Sequence, residues 1–190
     1  MKTRVLTVCL PMLMATPLAA QDFDAAIQSY YATEIAGWAN SQVLVDAVNA
    51  QNTTTAAYSQ SDIDALDLAW RAEVGTSNTP TITPVLQNSA AGFLRDQVAG
   101  SGAAITEIFV TDAQGLNVAA SDITSDYWQG DEAKHSETYG QGPGSIHISE
   151  VEFDDSTQRF QAQVSFTLVD PATGQSIGAV TVGVDAESLM

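Results

Sequence analysis

Cysteine is nearly missing: the 190 residues hold one, at position 9. Basic residues are scarce too, six Lys and Arg against 23 Asp and Glu, for a formal net charge of −17. No uninterrupted apolar run reaches the roughly 20 residues that a membrane span requires. The sequence also contains no G-x-S-x-G, no H-E-x-x-H and no phosphate-binding glycine loop. Each shortage excludes a class. One cysteine, placed near the start, rules out a disulfide framework and thiol catalysis in the body of the chain. The acidic balance repels nucleic acid and anionic lipid. Without a catalytic signature, the chain reads as a binding module rather than an enzyme, with no cofactor.

What is present begins with an export signal. Lys2 and Arg4 precede a mostly apolar stretch, and residues 15–20 end in Ala19-Ala20 before Gln21. This is the layout of a cleaved leader over residues 1–20, the cut following Ala20. Residues 21–190 then form one domain by length. They hold every acidic residue and only four basic ones: Arg71, Arg95, Lys134 and Arg159.

Two periodicities divide that domain. Over 21–100 the period is helical. Phe23, Ile27, Tyr31, Ile35, Trp38, Val45 and Val48 share one stripe of a long amphipathic helix, which Asn52 to Thr55 should end. A second helix opens at Ser61, with Asp64 as its capping-box partner and Ile63, Leu66 and Trp70 inward. Arg71 is expected to pair with a carboxylate, while Asp62, Asp64 and Asp67 read as a solvated helix start. A third helix starts at Thr83-Pro84, buries Leu86, Ala90, Phe93, Leu94 and Val98, and stops at Gly100.

Over 104–185 the period is two. Strands are expected at 105–110, 116–120, 145–151, 159–169 and 177–185. The clearest is 159–169, where Phe160, Ala162, Val164, Phe166 and Leu168 alternate with Arg159, Gln161, Gln163, Ser165 and Thr167. For its apolar stripe to face the same way as Val180, Val182 and Val184, paired residue numbers must sum to an even value. A plain four-residue turn gives an odd sum, so a bulge with Gly174 left-handed is predicted. Residues 121–144 form an excursion between strands, too long for a routine connection and carrying Tyr127, Trp128, His135 and Tyr139. The fold class is therefore α+β, with N-terminal helices packed on a five-stranded antiparallel sheet. Asp131 and His135 stand four apart, but no second histidine or cysteine completes a metal set.

Ile108 to Gly115, the aromatic stretch 121–139 and the closing Ile177 to Asp185 resemble a Cache domain, the PAS-like extracytoplasmic sensor fold of bacterial receptors. The resemblance implies a long helix on one sheet face, a small ligand on the other, and the excursion as pocket wall. It places Tyr127 and Trp128, with Tyr139, in that wall, and Asp185 near the last strand. Asp126 and Asp131 join them as candidates, although both also suit caps of a short helix, as Asp185 suits the cap of whatever follows its strand. No arginine lies between Gly100 and Gln158, so a ligand carboxylate lacks its usual bidentate partner; Lys134 offers only a point charge. An amine or neutral ligand fits better than an acid, although amino acids and organic acids stay within the class.

The reading that follows is a periplasmic module that binds a small polar molecule and reports occupancy to a membrane receptor or kinase, without itself entering the membrane. The alternative is an interaction module of the same fold that docks through its helices and holds no small ligand.

Overall fold

The structure, a computed structural model, describes residues 18–154 and 158–189, with the side chains of 23–153 and 158–189. The expected leader lies outside the described residues except for its last three, which open the first helix. Five helices lead the chain: α1 (Leu18–Tyr30), α2 (Gln42–Thr55), α3 (Gln60–Glu73), α4 (Ile82–Leu86) and α5 (Ser89–Gly100).

The single long helix expected over 23–48 is broken. After α1 a π-helical turn spans Tyr31–Ile35, and Ser41 turns extended (φ −61°, ψ 143°) before α2 begins. Gly37 lies in the break, where its lack of a side chain weakens the helix. The apolar stripe survives the interruption: Ile27, Ile35, Val45 and Val48 are all buried. α2 also runs on through Thr55, because the hydroxyls of Thr53 and Thr55 bond back to the carbonyls of Asn49 and Gln51 and do not break the helix. The cap of α3 is Ser59 with Asp62, not Ser61 with Asp64. Both pairs satisfy the same spacing, and only the backbone conformation of Ser59 chooses between them. The expected third helix is two, because Asn88 is extended and its side chain accepts from the Ala91 amide at 2.8 Å, capping α5.

Six antiparallel strands follow: β1 (Ile105–Asp112), β2 (Asn117–Ala120), β3 (Ile146–Ile148), β4 (Glu152–Asp154), β5 (Arg159–Val169) and β6 (Ser176–Asp185). Their order is β2-β1-β6-β5-β3, with β4 also on β5. Of the expected strand 145–151 only 146–148 is one, and β4, just beyond its expected end, adds a second short strand on the same edge, so the sheet has six strands instead of five. The register slips by one residue between Ile148↔Val164 and Glu152↔Gln161. Ser149 marks the break. Its amide still donates to Gln163, but its hydroxyl accepts the Gln163 N–H at 2.8 Å and donates to the Glu150 carbonyl.

The final hairpin has the even register that the stripes required, Val164↔Val182 and Phe166↔Val180. The extra residue is Ile177, between Leu168↔Gly178 and Val169↔Ser176, while Gly174 takes the left-handed turn at φ +71°. Val164, Phe166, Leu168, Val180, Val182 and Val184 therefore share one face with Ile108 and Val110, and α1, α2 and α5 cover it with Ile27, Leu44, Val48 and Leu94. Each such side chain contributes about 1.5–3 kcal/mol by leaving water. The opposite face carries Glu107, Thr111, Gln161, Gln163, Ser165, Thr167 and Thr181, and the excursion lies over it. A second apolar cluster, built on Trp70, Phe109, Leu116 and Tyr127, joins α3 and α4 to that side.

Candidate functional site

The excursion is anchored by the turn between β1 and β2. Asp112 is fully buried. Its Oδ1 accepts from the Gln114 and Leu116 amides, both at 2.9 Å. Oδ2 accepts from Thr55 Oγ1 at 2.8 Å and Gln51 Nε2 at 3.0 Å. Gly115 follows at φ +82°, and a Cβ there would lie 2.4 Å from the Cα of Gly130. The close approach lets residues 128–130 lie directly on the hairpin. Gln129 N bonds Gly115 O at 2.8 Å, and His135 Nε2 donates to the Asp112 carbonyl at 3.1 Å. From these anchors the chain forms a short helix, α6 (Ala133–Ser136), across the polar sheet face.

A hollow of about 330 Å³ remains between α6 and the sheet, within the usual size range of small-ligand sites. Gln161 and Gln163 on β5 form its floor. Gly183, opposite Gln163, has no side chain, so Glu107 reaches across and its Oε1 accepts from both glutamine amides at 3.1 Å. The inner wall is Glu132, Ala133 and Lys134. Lys134 Nζ pairs with Glu132 at 2.9 Å and stands 5.4 Å over the Phe109 ring, its side chain 17% exposed. The outer wall is His147 and Ser149, then Glu150, Glu152 and Phe153. Among the described residues, His147 Nδ1 is shielded from solvent and has no hydrogen-bond partner. With Glu132 taken by Lys134, Glu150 and Glu152 leave the rim acidic.

The six residues singled out in the sequence do not line this hollow. Asp126, Tyr127 and Trp128 come together elsewhere, against α3. Asp67 Oδ1 accepts the amides of Tyr127 and Trp128 at 2.9 and 3.1 Å, and Arg71 reaches Asp67 at 2.8 Å and Asp126 at 3.6 Å. Arg71 thus has the carboxylate partner expected of it, whereas Asp67 is a loop anchor and not a solvated helix start. Asp126 also accepts from Gln129 Nε2. Tyr127 stacks on Trp70 at 5.4 Å. Burial, then the charge of Asp112 and the neighbouring Tyr58, pushes its phenol well above the ordinary tyrosine value. Trp128 donates its indole N–H to Gln114 O at 2.8 Å. Tyr139 leans on the His135 ring at 5.2 Å. Asp131 is exposed, two residues ahead of α6 and not on it. Asp185 is paired with Arg159 at 2.6 Å and accepts from the Glu187 amide at 2.9 Å, capping the 3-10 turn that follows.

Among the described residues no three Asp, Glu, His or Cys side chains converge as metal ligands. Sequence reasoning put Gln161 and Gln163 on the correct face through strand alternation. It gave no sign of Glu150 or Glu152, and met Glu132 only as a neighbour of the Asp131 and His135 pair.

No family model matches the chain, and no curated protein matches it in sequence. Among solved structures, it is similar to the ligand-binding domain of the Campylobacter jejuni chemoreceptor Tlp3 in complex with 4-methylisoleucine, at 11% identity and a TM-score of 0.42. The match covers 93% of this chain and 65% of that one. The sensor domain of the V. cholerae histidine kinase DctB gives 13% identity and a TM-score of 0.44, over 90% of this chain and 56% of that one. This chain therefore spans less than two thirds of the length of either.

Proposed function

We propose that the protein is an exported, Cache-like sensory module of the periplasm. Its ligand, a small polar molecule bearing an amine, occupies the hollow between α6 and the polar sheet face. Export follows from the leader, cleaved after Ala20. In this reading occupancy is passed to a membrane receptor or kinase; among the described residues no helix is long and apolar enough to cross a membrane. One observation carries the reading: the hollow is lined mostly by polar side chains, with Gln161 and Gln163 beneath and Glu150 and Glu152 at the rim. Glu150 and Glu152 supply counter-charge for an ammonium, and Lys134 for a carboxylate where the ligand has one. In this reading Asp126, Tyr127 and Trp128 fix the start of the wall against α3, and Tyr139 braces His135 behind it.

A thermal-shift screen of amines, amino acids and organic acids tests the proposal. A ligand present at 100 times its Kd stabilises by about 2.7 kcal/mol, roughly 5–10 °C for a domain of this size. The amine-bearing class should produce that shift, and Glu152→Ala and Gln163→Ala should each reduce it. A shift that both variants leave unchanged would put the ligand elsewhere. No shift with any class would refute the sensory reading in favour of the interaction module.

A further inference from the structure

A second concavity lies in the helical layer and has the opposite character to the hollow. It measures about 630 Å³, opens between α2, α3 and α4, and has Val118 of β2 and Tyr127 in its lining. None of its lining residues is Asp, Glu, Lys, Arg or His, in a chain that is 15% charged with a net charge of −17. A charged molecule entering it would lose hydration and meet no charged side chain in the lining.

Small residues make the room: Ala47 and Ala50 face the cleft from α2. Leu66 and Pro84 give apolar surface. Its polar points are uncharged: the phenols of Tyr58 and Tyr127, with Gln51, Thr54, Asn88 and Ser89 also in the lining. The Tyr127 ring is fixed by its stack on Trp70 and by Asp67 beneath its amide. Its hydroxyl makes no hydrogen bond among the described residues, and burial keeps it protonated and able to donate. We propose that this cleft is a second small-molecule site, which takes an uncharged ring-bearing alcohol with its apolar faces on Ala50, Leu66 and Pro84 and its hydroxyl on Tyr127. Because Tyr127 lies on the excursion that goes on to form the inner wall of the first hollow, an occupant here bridges α2 and α4 to that excursion.

The test uses the full domain, isotopically labelled, and follows the Trp70 indole N–H resonance, which sits against the Tyr127 ring. Cyclohexanol is the probe; cyclohexylamine and cyclohexanecarboxylate are charged molecules of similar size. Cyclohexanol should move the Trp70 signal saturably, and the charged pair should bind at least 10-fold more weakly. Ala50→Phe, at an exposed helical position, should fill the cleft and weaken binding at least 10-fold without unfolding the protein. Tyr127→Phe should weaken it by several-fold through loss of the hydroxyl. A response that stays linear in cyclohexanol, survives Ala50→Phe, or is matched by cyclohexylamine would overturn the proposal. The amine shift assigned to the first hollow should be untouched by Ala50→Phe, so failure at one site is distinguishable from failure at the other.

Discussion

Removing the Asp112 carboxylate should be among the most damaging single changes in the chain. The carboxylate is fully buried, and its four partners are all neutral donors: two turn amides, a threonine hydroxyl and a glutamine amide. A hydrogen bond to a charged group contributes about 1.5–3 kcal/mol, and a buried donor left without its partner costs about 1–3 kcal/mol. Gln51 keeps other acceptors in the Leu116 and Asn117 carbonyls, and Thr55 keeps the Gln51 carbonyl. The two turn amides have no such substitute. Loss of the desolvated carboxylate itself offsets part of the damage. Asp112→Ala should therefore cost about 3–5 kcal/mol, and Asp112→Asn, which keeps one acceptor oxygen for the turn amides, about 1–2 kcal/mol. Urea unfolding at neutral pH measures both as a fall in midpoint with the slope unchanged. A cost below about 1 kcal/mol for Asp112→Ala would refute the account of this carboxylate as the anchor of the turn.

Gly115→Ala should destabilise by more than Gly174→Ala, although both glycines have positive φ. A methyl at 115 meets the Gly130 backbone at 2.4 Å, whereas at 174 nothing lies within 4 Å and only the left-handed penalty of about 1–2 kcal/mol applies; calorimetry of the two variants checks the order. His135 should make the excursion sensitive to acid. Its pKa is lowered by burial, against the opposing effects of the Asp112 carbonyl and charge. The unfolded chain therefore takes up the proton first, and stability present above pH 6.5, the ordinary value, falls as the pH drops below it. Stability measured through pH 7 to 5 should lose that component in His135→Gln, and an unchanged profile would show that His135 does not carry it.

Strand alternation made the sheet legible. The side-chain period of two at 159–169 fixed which residues face the helices, and the parity of the last hairpin required an extra residue before the structure located it at Ile177. The helical half was less legible for identifiable reasons. Ser59 and Ser61 offer equivalent capping spacings, and the break at Asn88 depends on a bond from its side chain to Val118 O, 30 residues away. The site residues were hidden for a similar reason. The directions of Tyr127 and Trp128 are set by Asp67 on a distant helix, so aromatic character alone did not show which way they point. Glu107 reaches the two floor glutamines only because Gly183, on the neighbouring strand, leaves the space.

The divided border of the sheet bears on how anything gets in. β3 and β4 are each held to β5 by three residue pairs, with the changeover at Ser149 beside Gln163. Either segment can unlatch by itself, at far less cost than stripping a continuous strand. Since His147 belongs to one segment and Phe153 to the other, the outer border of the hollow is hung in two pieces, of which β3 is tied to the core through Ile148 and β4 is the looser leaf.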